Sequence, residues 1–334
     1  TTHTPVKAGN EIHQISDLLE QGVGLDVMGE AELSELGGNP FEMTVAALRL
    51  SRKANAVAKL HGKTAAQMWA HVEDGAEIIP ITNGIHMPSW QDQRIAEWMP
   101  SGDSSSLWDI TRELKNELIA YIQEKTGQKL ASNRLLIGFA RRAATYKRAD
   151  LILEDLNWLS SYLKDGTIQI VFSGKAHPED AEGKAMIERV TRVAREYPES
   201  IVFLDNYDME VGRVMTRGVD VWLNNPRRPK EASGTSGMKA AANGGLNLSI
   251  LDGWWDEGCR HGVNGWQFGD GYEGDGQDAH DGHALRMALG DFVLPTYYDN
   301  REKWIDMMKE SITTASDDFS ARLMVDTYYE KLYR

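Results

Sequence analysis

From residue 134 onward one alternation recurs: a short apolar run, then a polar or helix-patterned stretch, then another apolar run. The runs fall at 134–139, 167–172, 201–204, 219–223 and 246–251, with helical patterns at 149–163 and 182–197 between them. Their spacing predicts a parallel sheet of βαβ units. Such a sheet binds ligands beyond the carboxyl ends of its strands. The segments that follow the runs are therefore the place to look for chemistry.

The first of these is Arg141-Arg142-Ala-Ala-Thr-Tyr146-Lys147-Arg148, with four cations in eight residues. A charge run is usually a solvated face. Directly after a strand, these cations can instead neutralise one or two phosphate dianions, arginine by its fork and lysine as a point charge. A later loop runs Glu231-Ala-Ser233-Gly234-Thr235-Ser236-Gly237-Met238-Lys239. Its small residues let the backbone come close to an anion. Met238-Lys-Ala-Ala-Ala is helix-forming, so the loop should end on free N–H groups at a helix start. Lys239 then lies just inside that helix, where an amine is held rather than solvated.

Other segments read as structural. His177 beside Pro178 marks a turn, and His61 reads as a helix-surface or capping residue. Arg227 and Arg228 either extend the basic pocket or face water. Asp256 and Glu257 invite comparison with glycoside hydrolases, which need two positioned carboxyls; sequence neighbours on a glycine-rich loop seldom face each other, so the hydrolase reading is set aside. Residues 10–75 carry a helical pattern, Ile78–Thr82 a short strand ended by Asn83-Gly84, and 107–126 a helix. Helix-like sequence covers 284–315 and Ser320 to Tyr333. The polar cluster from Pro100 to Ser106 is the best linker.

The net charge of −14 argues against nucleic acid or an anionic membrane as partner. A phosphate site must then be a local basic pocket in an acidic protein. One cysteine among 334 residues provides no disulfide framework and suits the cytoplasm. No metal site is expected.

Glu231–Lys239, its continuation Leu246–Gly258 and the Tyr146-Lys147-Arg148 segment together resemble the α-glucan (glycogen, starch, maltodextrin) phosphorylases, in their bacterial and archaeal branch. Thr1–Val6, Ser51–His61 (with Ala56 where the family has glycine), Thr82–Trp90 and Gly174–Pro178 resemble weaker family segments. The resemblance implies a GT-B architecture, α/β, with a Rossmann-like parallel-sheet domain and the tail of a second domain. Residues 1–104 would be that tail, 105–310 the Rossmann-like domain, and 311–334 a C-terminal helix packing back. It implies pyridoxal 5′-phosphate as cofactor, with Lys239 as its Schiff-base lysine. Thr235, Ser236, Gly237, Arg141 and Tyr207 would surround the cofactor, and Arg142 and Lys147 would bind the substrate phosphate. Tyr146, Glu231, Ser233 and Gly234 would hold the sugar. The implied reaction converts α-glucan and inorganic phosphate to glucose 1-phosphate, and Lys239, Arg142 and Lys147 are the expected catalytic set. On this reading the chain is a C-terminal portion, inactive without its N-terminal half, and a homo-oligomer is possible. A nucleotide-sugar glycosyltransferase of the same architecture, or a non-catalytic fragment binding cofactor or glucan, are the alternatives.

Overall fold

The computed structural model describes residues 1–24, 27–99 and 102–334. Ten strands are present among them. β1 (Ile12–His13) pairs antiparallel with β2 (Phe41–Glu42), and β3 (Ala54–Ala56) pairs parallel with β4 (Ile78–Pro80). The remaining six, β5 (Leu135–Ala140), β6 (Ile168–Ser173), β7 (Ile201–Leu204), β8 (Val221–Asn224), β9 (Leu246–Ile250) and β10 (Gly265–Phe268), form one sheet. Every pairing in it is parallel and the order is β7-β6-β5-β8-β9-β10. Counted within the sheet this is 3-2-1-4-5-6, the Rossmann order. The parallel α/β sheet read from the sequence is present.

Its strands are buried on both faces, so that even their polar members Gln169, Asn247 and Ser249 are only 1% exposed. In β5, Leu135, Ile137 and Phe139 enter one core with Leu159, Leu163, Val190 and Leu285. Leu136 and Ala140 enter the other with Leu118, Ile122, Val211 and Met215. Helices Ser104–Thr126 and Met209–Gly218 cover the second face. β10 had no counterpart among the expected strands: Gly265-Trp-Gln-Phe268 is short and lies in a glycine-rich stretch.

Three expectations need correction. Residues 10–75 are not uniformly helical: the helices are Ile15–Glu20, Glu30–Gly37, Met43–Leu50 and Lys59–Met68, and Ala54–Ala56 is a buried strand. Pairing with Ile78–Pro80 overrides the helix preference of the two alanines. The helix expected from Ala149 starts at Leu156, capped by Asp155, after a single turn at Leu151–Leu153. Of the linker, Pro100 and Ser101 lie outside the described residues, while Ser104–Ser106 open a helix capped by Asp103.

Helix Arg301–Asp318 runs through position 311, and the chain turns at Phe319–Ser320. Beyond the turn, helix Ala321–Lys331 lies against the first hundred residues. Tyr328 Oη accepts a hydrogen bond from Asn55 Nδ2 at 2.9 Å, and Lys53 Nζ donates to the carbonyls of Lys331 and Arg334 at 2.7 and 2.9 Å.

At the opposite edge of the sheet from the strand carboxyl ends, Lys115 is only 1% exposed. Its ammonium donates to Asp220 Oδ2 and to the Arg134 carbonyl, tying helix Ser104–Thr126 to the starts of β5 and β8. Burial pulls this lysine down to about 8 although Asp220 works the other way. Breaking a buried pair leaves an uncompensated charge, so Lys115→Met should lower stability by about 3–5 kcal/mol. Guanidinium denaturation checks this, and a loss below ~1 kcal/mol would show the pair to be incidental.

Candidate active site

The strand order reverses between β5 and β8, and the loops leaving these two strands face each other. Between them lies a cavity of about 460 Å³. Arg141, Arg142, Tyr146 and Lys147 line it from the β5 side; Glu231, Ser233, Gly234, Thr235, Ser236 and Lys239 line it from the β8 side. Tyr207, after β7, completes this wall. Of the site residues expected from sequence, the structure brings eleven together around one cavity. Gly237 is the exception. It is buried beneath the loop, where an added Cβ would meet Asn247 Oδ1 at 2.4 Å, so it serves helix-to-sheet packing.

The β8-side loop is held from below. Asp252, fully buried, accepts hydrogen bonds from the backbone N–H groups of Glu231 (2.9 Å) and Gly253 (2.8 Å). Burial first, and then the charge of Glu231, push the Asp252 carboxyl well above the ordinary range. Trp254 N–H donates to the Ser233 carbonyl at 2.8 Å. Gly253 takes φ +57, and a Cβ there would lie 2.3 Å from that carbonyl, so the approach admits only glycine. Gly234, with φ +83, turns the chain into helix Thr235–Ala241.

The basic loop is fastened by its fourth cation. Arg148 is not part of the cavity. Its guanidinium reaches the carbonyls of Asn225 and Pro226, both at 2.8 Å, and pairs with Asp278 and Asp281. It therefore joins the two loops across the switch point. Arg227 pairs with Asp278, and Arg228 with Asp256 and Glu273, so neither extends the basic pocket.

Three cations remain at the cavity, and one carboxylate answers them. Glu231 is 6% exposed; its Oε2 lies 2.6 Å from Lys147 Nζ and 2.7 Å from Arg141 Nη1. The Lys147 contact is an aligned hydrogen bond. The Arg141 contact is a charge contact, out of line, which leaves the buried Nη1 without a hydrogen-bond partner. The Ser233 hydroxyl is likewise buried and unpartnered. Burial, followed by repulsion from Arg141, pulls Lys147 down to about 8 despite Glu231. Burial alone would raise the Glu231 carboxyl, but Arg141 and Lys147 outweigh it and hold it below the ordinary range. An excess of cations with spare donors is the electrostatic signature of an anion site.

Lys239 stands on the other side. Its ammonium lies 3.6 Å from the centroid of the Trp90 ring, and burial lowers its affinity for the proton. Trp90 is pinned through its carbonyl, which accepts from Asn243 Nδ2 at 3.0 Å. Sequence reasoning gave Trp90 no role. It also missed His3, Thr4, Pro5, Asn83 and Lys230, which line the same cavity. Their arrival depends on long-range contacts such as Thr2 N–H to the Asn55 carbonyl at 2.8 Å, and no local pattern encodes them.

The residues set aside are accounted for. His61 is not on a helix surface but 1% exposed, its Nδ1 accepting the Val57 N–H at 3.2 Å. His177 Nδ1 accepts the Glu179 N–H within a turn. Asp256 pairs with Arg228, while Glu257 accepts from Thr82 Oγ1 at 2.8 Å and pairs with Lys59, so the two carboxylates have separate partners and do not act as a pair.

Residues 101–256 match the family model of the carbohydrate phosphorylases. Over its whole length the chain is 40% identical to the maltodextrin phosphorylase of Thermococcus litoralis, of which it covers 46%. It is 38% identical to the glycogen phosphorylase of Aquifex aeolicus, covering 56% of that protein. An uncharacterised protein of Methanocaldococcus jannaschii is 35% identical, with 63% covered. The chain is thus a relative of the glycogen and maltodextrin phosphorylases and spans about half the length of the curated relatives it matches. No helix among the described residues is long and apolar enough to cross a membrane.

A lysine whose proton affinity is lowered, and which lines an open cavity, is a good nucleophile toward carbonyl compounds. Treated at pH 8 with a small aldehyde and borohydride, Lys239 should be modified ahead of the exposed Lys175. Peptide mass mapping over time reads this order, and equal rates would remove the special reactivity.

Proposed function

We propose that this chain, a relative of the glycogen and maltodextrin phosphorylases from end to end, is the phosphate-side half of a cytoplasmic α-1,4-glucan phosphorylase that uses pyridoxal 5′-phosphate. One observation carries the reading. A desolvated lysine and three cations with a single carboxylate share one cavity at the sheet's switch point. The donor set fits the cofactor. Lys239 would hold its aldehyde end, while Thr235, Ser236, Arg141 and Tyr207 would face its phosphate, with the unpartnered Arg141 Nη1 as a ready donor. Gly237 would add its backbone in the first turn of the same helix. When bound, the cofactor supplies a phosphate that acts as acid or electrostatic partner to the substrate phosphate.

The chain's own residues do the rest. Arg142 and Lys147 bind and orient inorganic phosphate and offset the repulsion between two phosphates held close together. Tyr146, with Lys147 Nζ 4.7 Å from its ring centroid, sets the edge of the sugar pocket. Glu231 and the backbone at Ser233 and Gly234 hold sugar hydroxyls. The phosphate so oriented donates its proton to the glycosidic oxygen and receives the glucosyl group with retention, releasing glucose 1-phosphate.

Incubation of the chain with pyridoxal 5′-phosphate, followed by borohydride, should place a pyridoxyl group on the peptide carrying Lys239. Lys239→Ala should abolish it. Undiminished labelling of a folded Lys239→Ala protein would sink the assignment. Sugar transfer from a nucleotide sugar by the unlabelled chain would favour a glycosyltransferase instead.

The glucan side of the cleft lies largely in the part of the relatives that this chain does not span. Losing oriented contacts of that kind can cost roughly 7–11 kcal/mol of barrier lowering. Assayed alone with maltoheptaose, phosphate and cofactor, the 334-residue chain should release no detectable glucose 1-phosphate. Turnover by chain of verified mass would count against this division of labour.

A further inference from the structure

Glu231 has been given a sugar to hold, yet the structure occupies it otherwise. Its Oε2 takes both Lys147 and Arg141, at 2.6 and 2.7 Å, and the residue is 6% exposed. These are cations of the cluster read above as the phosphate site, and the present inference rests on that reading. The Glu231 backbone is fixed by Asp252, so the carboxylate can leave the cations only by rotating its own side chain. No other carboxylate lies within ion-pair distance of Lys147 or Arg141 among the described residues.

Charge counting shows what this arrangement does. Arg141, Arg142 and Lys147 with Glu231 sum to +2, and Lys230 and Lys239 on the same cavity add to that excess of positive charge. Contact geometry adds a second effect. One of the three Lys147 ammonium donors is taken by Glu231 Oε2 at 2.6 Å, so a phosphate oxygen approaching along that direction competes with the carboxylate for it. Two anionic oxygens on one ammonium in a buried site repel, and the carboxylate is the one attached to a flexible arm.

The geometry points to Glu231 as a resident counter-ion that gates the phosphate site: an entering phosphate takes over its contact with Lys147, and the displaced carboxylate becomes the acceptor for sugar hydroxyls. Phosphate and sugar are thereby coupled through one side chain. Before phosphate arrives, Glu231 keeps the buried cations from standing uncompensated. Once phosphate is in place, it is free for the second ligand. Because linkage is reciprocal, sugar held by the swung-out carboxylate also tightens phosphate.

The test is the affinity of the chain for inorganic phosphate, by calorimetry, in wild type, Glu231→Gln and Glu231→Asp. Glu231→Gln removes both the charge and the competition and should tighten phosphate by about tenfold, within the range usual for coupling between ligands. Glu231→Asp keeps the charge but shortens the arm by one methylene, so it no longer spans to both cations, and phosphate should tighten several-fold. That response separates physical occupancy from net charge. Tightening in Glu231→Gln with Glu231→Asp equal to wild type would reduce the effect to bulk electrostatics and overturn the gate. Weaker or unchanged binding in both variants, with the folded spectrum retained, would assign Glu231 a structural role and overturn it as well. Absence of phosphate binding in all three proteins would remove the phosphate reading itself, and the gate with it.

Discussion

Two buried cations, Arg141 and Lys147, beside an exposed third, Arg142, are the constraint on which the arrangement around the cavity depends. An ion taken out of water carries a penalty of several kcal/mol unless a partner sits close. Arg141 and Lys147 are 8% exposed each, and the partner is Glu231. Glu231 reaches them from a loop more than eighty residues further along the chain. It does so because Asp252, further on still, catches its backbone N–H and because Gly253 lets the loop settle against Ser233. The basic loop is therefore stable only as one half of a pair. Its chemistry is set by residues that a local reading treats separately.

The sheet makes the pairing possible. In the order β7-β6-β5-β8-β9-β10 the chain leaves β5 toward one side and returns to β8 on the other, so the two loops must part and leave a crevice. Arg148 then limits how far they part. Its guanidinium, nearly fully buried, binds two carbonyls of the β8 loop and two carboxylates of helix Gln277–Ala288. One arginine of the basic run thus closes the structure while its neighbours remain for a ligand. Type and spacing alone do not divide these roles; the division follows from which side chain points along the sheet and which points out of it.

Much of this was legible in the sequence because it is periodic. Five of the six strands in the main sheet announce themselves as short, mostly apolar runs at regular spacing, and the two loops that matter follow strands, as parallel-sheet physics requires. The basic run and the glycine-rich loop stood out there by composition, while the role of each residue in them was implied by the family resemblance. What was not legible is tertiary. Ala54–Ala56 looks helical until Ile78–Pro80 offers it a partner. β10 is too short and glycine-flanked to stand out. Trp90 meets Lys239 only because a hydrogen bond from Asn243 fixes its backbone. Gly237 carries a constraint that no local reading supplies: its lack of a Cβ is required by Asn247 and Trp254 beneath it.

The two walls of the cavity are supported differently. The charged wall stands on the sheet, with Arg148, Asp252 and the two cores behind it. The rim formed by His3, Thr4, Pro5 and Asn83 stands on the first hundred residues and on the last helix. Thr2 and Thr1 attach to Asn55, whose amide donates to Tyr328; Ile85 is bridged to Phe319 and Ala321 by backbone hydrogen bonds. These are a handful of partly exposed hydrogen bonds, each worth about 1 kcal/mol net. The cations, by contrast, share buried ion pairs. Ile85 also packs with Met238, Trp254, Trp255 and Phe319 in one apolar cluster, so burial anchors the rim beside its hydrogen bonds. The charged wall is thus held by ion pairs buried against the sheet, and the rim by hydrogen bonds and apolar contacts between distant parts of the chain.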